Sequence, residues 1–356
     1  MEIEACGKPL VTVIITTYNS GATIQDVLNS LIIQDYPLKL IEIIIVDDHS
    51  VDDTVDKIKR FMEKYRDMFH NFELIIHGKN LGVSKARNDG MKLSKGKYIM
   101  ILDCDVVLPP NAISRMVSFM ESNLSIGSCE LLLKHDSTDI ITRWLYDISI
   151  RRIRKIIGCT AGAMIRRDVI ERAGLYDETM GPPFSVDEDL EFGARIWRSG
   201  YQCVMLGDTI AEHLGVKRDV SLAKLMGKKD EPKLTLSTYM KWLIGYLKKK
   251  QGWTWYKFLK SLPPKLRIKY VGSSLFLPCL VLLLLDLFTT PTSTNVHYTL
   301  SILLILLAVF INTFRDFVSD PANLHKSIIL TFLACINRSI RSIAAFVYII
   351  TSAKQK

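Results

Sequence analysis

Tyr98-Ile99-Met100-Ile101-Leu102-Asp103-Cys104-Asp105 is an apolar run that ends abruptly in two carboxylates at i and i+2. Five consecutive apolar side chains suit a strand buried on both faces. Where such a strand opens into a loop, Asp103 and Asp105 can share one hard cation, Mn²⁺ or Mg²⁺, and hold it against a diphosphate. A helix cap ahead of Pro109-Pro110 is the plainer reading of the same pair.

The residues before this run repeat one rhythm. Short β-branched stretches at 11–15, 41–46 and 72–77 are each followed by a longer amphipathic one, at 22–34, 52–68 and 83–93, and 97–102 closes the series. That is the alternation of a parallel sheet covered by helices. Ligands of such sheets bind at the carboxyl ends of the strands. Thr16-Thr17-Tyr18-Asn19, Asp47-Asp48-His49-Ser50 and Asp103-Cys104-Asp105 therefore gather at one edge. Residues 111–207 read as mixed, with strands expected near 126–133, 159–165 and 201–206 and a helix over 189–199.

The chain has 356 residues, 48% of them hydrophobic, and its mean hydropathy of +0.17 is high for a soluble protein. The excess is concentrated late, at 271–290 and 298–314, each close to the roughly 20 residues that cross a bilayer. A third stretch, 328–350, carries Asn337, Arg338 and Arg341, which are costly at the membrane centre. Nine of the 46 Lys and Arg lie between Lys241 and Tyr270 with no Asp or Glu among them, and the remaining 37 balance the 37 acidic residues, although the whole carries +9. Interleaved with Trp242, Tyr246, Trp253, Trp255 and Tyr256, this cluster suits an anionic cytoplasmic leaflet. Nucleic acid is its rival partner, and the adjoining hydrophobic segment argues against it. The acidic start, Met1-Glu2-Ile3-Glu4, does not read as a secretory signal. Seven single cysteines with no CxxC spacing signal neither zinc nor a disulfide framework.

Five ordered motifs carry a resemblance. Val13-Ile14-Ile15-Thr16-Thr17-Tyr18-Asn19, Val46-Asp47-Asp48-His49-Ser50, the stretch from Asn80 to Gly90, Asp103-Cys104-Asp105, and Glu188-Asp189 with the helix behind it resemble the motifs of family 2 glycosyltransferases over about residues 11–215. The resemblance implies an α/β GT-A fold, a Rossmann-like mixed sheet with helices on both faces, here followed by C-terminal transmembrane helices. The expected organisation is a transferase domain over 1–235, a basic aromatic interfacial segment over 236–270 and a membrane domain with two or three spans over 271–356. In this scheme Asp105 binds the metal, Asp103 reaches the ribose or the metal, and His213 is a third ligand, a diphosphate contact or a structural histidine.

By the same resemblance Thr17, Tyr18, Asn19, Asp47, Asp48 and Arg87 form the nucleotide pocket, with Asp48 preferred over Asp47 for the base or ribose. Asp189 is the catalytic base, with Glu188 as neighbour or substitute. Helix capping is the alternative reading for Asp47-Asp48, and helix-dipole carboxylates for Glu188-Asp189. Processive synthases of the family carry Gln-x-x-Arg-Trp after the base motif, and this chain has none. The expected activity is therefore a single inverting transfer from a UDP- or GDP-linked sugar to a lipid-linked acceptor, polyprenyl phosphate or a lipid-mounted glycan. It would be performed by a multi-pass protein of the cell membrane whose catalytic domain faces the cytoplasm. A processive synthase and a non-catalytic scaffold are the alternatives.

Overall fold

The computed structural model describes residues 7–135, 140–159, 161–181, 187–214 and 251–273, with scattered positions beyond. The chain divides into two compact units, Met1–Asp136 with Ser149–Arg218, and Ser137–Ile148 with Asp219–Lys356. The boundary expected at residue 235 lies outside the described residues.

The first unit is built on one nine-stranded mixed sheet. Strands β1 (Val11–Thr17), β2 (Ile41–Asp47), β3 (Asn71–Ile76) and β4 (Tyr98–Asp103) run parallel in the order β3-β2-β1-β4. Their crossovers carry α1 (Ile24–Ile32), α2 (Thr54–Tyr65) and α3 (Val83–Leu93). Beyond β4 the chain adds the short β5 (Val106–Val107), α4 (Ala112–Ser122), β6 (Ile126–His135), α5 (Ile140–Ser149), β7 (Ile153–Ile156), β8 (Ala163–Arg166), α6 (Arg167–Ala173), α7 (Glu188–Arg198) and β9 (Gln202–His213). β8 lies antiparallel between β4 and β6, while β9 runs parallel to β6 and takes β5 and β7 antiparallel.

Period-two alternation decides the layers. Val11, Val13, Ile15, Ile43, Met100 and Leu102 join one core with the apolar faces of α1, α2 and α4. Ile14, Ile44, Val46, Ile99 and Ile101 join the other with α3, α6 and α7. Both faces are thus covered, which is why these strands read as unbroken apolar runs. Each fully buried Val, Leu or Ile stabilises this arrangement by about 1.5–3 kcal/mol. Against α7, Gly193 packs so closely on the chain at Ile157 that an added Cβ would stand 1.7 Å from its carbonyl oxygen.

Register places the polar ends. Thr17 pairs with Asp47 and Thr16 with Asp103, so β2, β1 and β4 finish level. After β1 the chain proceeds outward through β2 and β3 and then returns to the other side of β1. The crevice between β1 and β4 is therefore a topological switch point.

In the second unit, α8 (Gln251–Ser261) and α9 (Pro264–Ser273) are joined by aromatic packing of Trp255 and Phe258 with Tyr270, at centroid distances of 6.2 and 5.4 Å. Among the described residues no helix is long and apolar enough to cross a membrane. Of the spans expected at 271–290, 298–314 and 328–350, the structure describes helical turns at 271–273 and 305–311 and scattered positions besides, and the rest lies outside the described residues.

Candidate functional site

A cavity of about 630 Å³ opens at the switch point. Thr16, Thr17, Tyr18 and Asn19 line it from the end of β1, Asp48 from the end of β2, and Asp103, Cys104 and Asp105 from the end of β4. Asn80, Arg87 and Glu188 complete its polar wall from the α3 and α7 sides. The three strand ends that the sequence marked do meet in one place.

The first acidic pair divides its work. Asp47 is fully buried and away from the cavity wall, accepting from Thr17 Oγ1 at 2.8 Å, Ser50 Oγ at 2.5 Å and the Ser50 amide at 2.9 Å. It ties β1 to the turn after β2. Asp47, expected in the nucleotide pocket, is not among the residues that line the cavity. Asp48 faces the cavity and accepts three N–H groups, from His77 Nδ1 and the Leu81 amide on Oδ1 and from the Gly82 amide on Oδ2, each at 2.8 Å. Gly82 stands at φ +92°, a conformation a side chain would strain, and so brings its amide to the carboxylate. Asn19, at φ +50°, donates its backbone N–H to Ser50 Oγ and accepts the Val51 N–H on its side-chain Oδ1, both within 2.9 Å. Tyr18 is 41% exposed, an open face on the cavity.

Arg87 joins opposite walls. Only 5% exposed, its guanidinium donates to Asp103 Oδ1 at 3.2 Å and to Glu188 Oε1 at 3.1 Å, and lies 5.3 Å from the centroid of the Tyr176 ring. Burial works against its charge, but Asp103, the Tyr176 hydroxyl, Glu188 and Asp189 together hold it protonated beyond the ordinary arginine range. Asp189, next in the first turn of α7, is not on the cavity wall. Desolvation, reinforced by the charge of Glu188, pushes its carboxyl up to about 6. A carboxylate that binds a proton this well near neutrality is suited to general base work.

At the end of β4 the loop is pinned through its central residue. Cys104 Sγ meets Ser20 Oγ at 2.8 Å, and Thr23 Oγ1 donates to the Cys104 carbonyl at 2.7 Å. β9 runs on past its expected end at 206, and its final residue, His213, pairs with Val106. The Leu214 amide then bonds the Asp105 carbonyl at 2.8 Å, and His213 Nε2 comes within 3.7 Å of Asp105 Oδ1.

Among the described residues no three His, Cys, Asp or Glu side chains are gathered as a metal set. Of the expected trio, Asp103 pairs with Arg87, while Asp105 and His213 face each other. Magnesium ordinarily binds to one or two protein carboxylates with water and substrate phosphates filling the other positions. Asp105 and His213 fit that donor chemistry for Mn²⁺ or Mg²⁺.

Four contributors went unread in the sequence: His77 behind Asp48, Tyr176 beneath Arg87, and Ser20 and Thr23 around Cys104. Asn80 was legible as the first residue of the Asn-Leu-Gly turn. The others are joined to the site by contacts across 29 to 89 residues of chain, for which no local spacing exists.

A model of glycosyl transferase family 2 matches residues 12–173, and one of glycosyl transferase family group 2 matches residues 98–313. Glycosyltransferase AglE of Haloferax volcanii is 28% identical over 213 residues, 58% of this chain and 67% of its own. Putative teichuronic acid biosynthesis glycosyltransferase TuaG of Bacillus subtilis is 28% identical over 229 residues, 61% of this chain and 83% of its own. The poly(ribitol-phosphate) beta-glucosyltransferase of Bacillus spizizenii is 33% identical over 32% of this chain, and the match spans only 18% of that longer protein. Among solved structures, mannosyltransferase PcManGT from Pyrobaculum calidifontis, in complex with GDP-Man and Mn²⁺, has a TM-score of 0.52 at 17% identity, over 94% of this chain and 87% of that one. TarS of S. aureus in complex with UDP-GlcNAc has a TM-score of 0.51 at 17% identity, over 75% of this chain and 85% of that one. These structures share the mixed-sheet fold, and on the family models, one of which spans more than half of its length, the chain belongs to the family 2 glycosyltransferases.

Proposed function

We propose that the protein transfers a single sugar from a UDP- or GDP-linked donor to a lipid-linked acceptor, with inversion, at the cytoplasmic face of a membrane. The observation that carries this reading is the cavity at the switch point, where Asp48, Arg87, Asp103, Asp105 and Glu188 converge. Its volume of about 630 Å³ lies within the range of small-molecule sites. Asp48 receives the base end of the donor, and Tyr18 offers its ring alongside. Asp105 and His213 would hold Mn²⁺ or Mg²⁺, which when bound neutralises the charge of the departing diphosphate.

Glu188 is engaged by Arg87, which leaves Asp189 to take the acceptor's proton. A carboxyl held up to about 6 by desolvation is ionised at neutral pH and still basic enough to accept it. If the acceptor is a polyprenyl phosphate, no proton leaves the attacking oxygen and this role shrinks. The lipid acceptor and the membrane address rest on the apolar stretches at 271–290 and 298–314 and on the basic aromatic segment before them. An enzyme held at the surface meets a lipid-confined acceptor at high effective concentration.

The test is to incubate membranes containing the full chain with labelled UDP- and GDP-sugars and Mn²⁺, and to identify the labelled product by mass spectrometry. One added sugar on a lipid is the expected result. Label in a long polymer would replace the single-transfer reading with a processive one, and no product from any donor would overturn the transferase reading.

A further inference from the structure

His77 lies outside every motif read from the sequence, yet among the described residues its side chain is the one that hydrogen-bonds Asp48. It ends the segment after β3, where its amide bonds the Asp47 carbonyl at 2.9 Å and its ring, 8% exposed, stands between two carboxylates. Nδ1 meets Asp48 Oδ1 at 2.8 Å, and Nε2 faces Asp89 Oδ2 on α3 at 3.3 Å without an aligned hydrogen bond. Asp89 is itself held by Lys85 at 2.5 Å and Lys92 at 3.4 Å. Because a carboxylate only accepts, Nδ1 carries the proton.

The two oxygens of Asp48 are left unequal. Oδ1 takes His77 and the Leu81 amide, which fills both of its lone pairs, while Oδ2 takes only the Gly82 amide and keeps one. We propose that His77 is a positioning residue of the donor pocket: by occupying Oδ1 it turns the remaining acceptor of Asp48, on Oδ2, to the N–H edge of the nucleobase. This inference rests on the nucleotide-sugar reading above. Uracil at N3 and guanine at N1 each present one such N–H, so the arrangement serves either base.

The ring's two nitrogens have different isosteres, which makes the idea separable from mere packing. The amide nitrogen of His77→Asn can reach the Nδ1 position, whereas that of His77→Gln reaches toward Nε2. Binding of UDP and GDP to the full-length protein with Mn²⁺ would be measured by calorimetry, with thermal unfolding followed in parallel. His77→Asn should bind within about threefold of wild type, and His77→Gln and His77→Leu about tenfold or more weaker, the loss of one hydrogen bond to a charged group. In transfer assays the same loss should raise donor KM and leave kcat unchanged.

Equal binding by wild type, His77→Gln and His77→Leu would overturn the inference, as would an Asn variant as weak as the Leu one. If His77→Leu fails to fold, the Asn and Gln pair decides alone. Wild-type protein that binds neither nucleotide would overturn the donor reading and this inference together.

Discussion

The two acidic strand ends, Asp47-Asp48 after β2 and Asp103-Cys104-Asp105 after β4, look alike in sequence and are built differently. The first is saturated from within: six contacts from Thr17, Ser50, His77, Leu81 and Gly82 converge on its two carboxylates. At the second, Asp103 meets Arg87 and Asp105 faces His213, while the intervening Cys104, rather than the carboxylates, anchors the loop. A carboxylate surrounded by fixed N–H donors is a rigid reader of shape. One with little internal pairing keeps its charge available to an incoming cation. The pocket thus joins a recognition end to a charge-handling end.

The comparison breaks if the two ends respond alike to mutation. Asp105→Ala should have the largest effect, removing Mn²⁺-stimulated nucleotide binding and lowering transfer on the order of a thousandfold; calorimetry with and without Mn²⁺ reads the first, and retained stimulation would equalise the two ends.

Asp189→Asn should leave nucleotide affinity in place and lower transfer to a hydroxyl acceptor about a hundredfold. The wild-type rate should rise with pH through about 6, where Asp189 ionises, and the variant should lose that limb. The linked stability effect has the opposite sense. A carboxyl raised above its unfolded value of 3.8 favours the folded state below that value, and this contribution is lost as pH climbs through about 6. Asp189→Asn should therefore unfold at a higher temperature than wild type at pH 7.5, with little difference at pH 4, as measured by calorimetric scans.

Arg87→Met leaves Asp103 and Glu188 facing each other across a buried gap. Its expected cost is about 3 kcal/mol of stability by denaturant titration, with donor KM raised about tenfold. Asp47→Ala should change transfer least, by under about threefold, while losing about 2 kcal/mol for its charged hydrogen bonds. A large kcat effect there would place Asp47 with Asp105 and remove the distinction.

The parallel half of the sheet was legible because strands buried on both faces leave uninterrupted runs, as at Ile41–Asp47 and Tyr98–Asp103. The antiparallel half was harder. β9 conceals its length at Gly207-Asp208-Thr209, where the register with β6 jumps from Leu206 to Ile210, and the apolar pattern breaks although the strand continues to His213. β7, Ile153–Ile156, is a basic edge strand whose charges mask its β character. In the site, the carboxylates were found by their strand-end positions, whereas the division between Asp47 and Asp48 was not. Adjacent residues on a strand face opposite ways, and which one meets the cavity is decided by the register of β1 against β2.

The tight seat of α7 at Gly193 also sets how far the chemistry tolerates change. A methyl group there would collide with the main chain at Ile157, and relieving the collision means lifting the whole helix, Glu188 and Asp189 with it. The placement of the proposed proton acceptor is thus dictated by a bare backbone position one turn away. Random variation at that glycine would be scored as damage to catalysis, although nothing in the reacting shell had been altered.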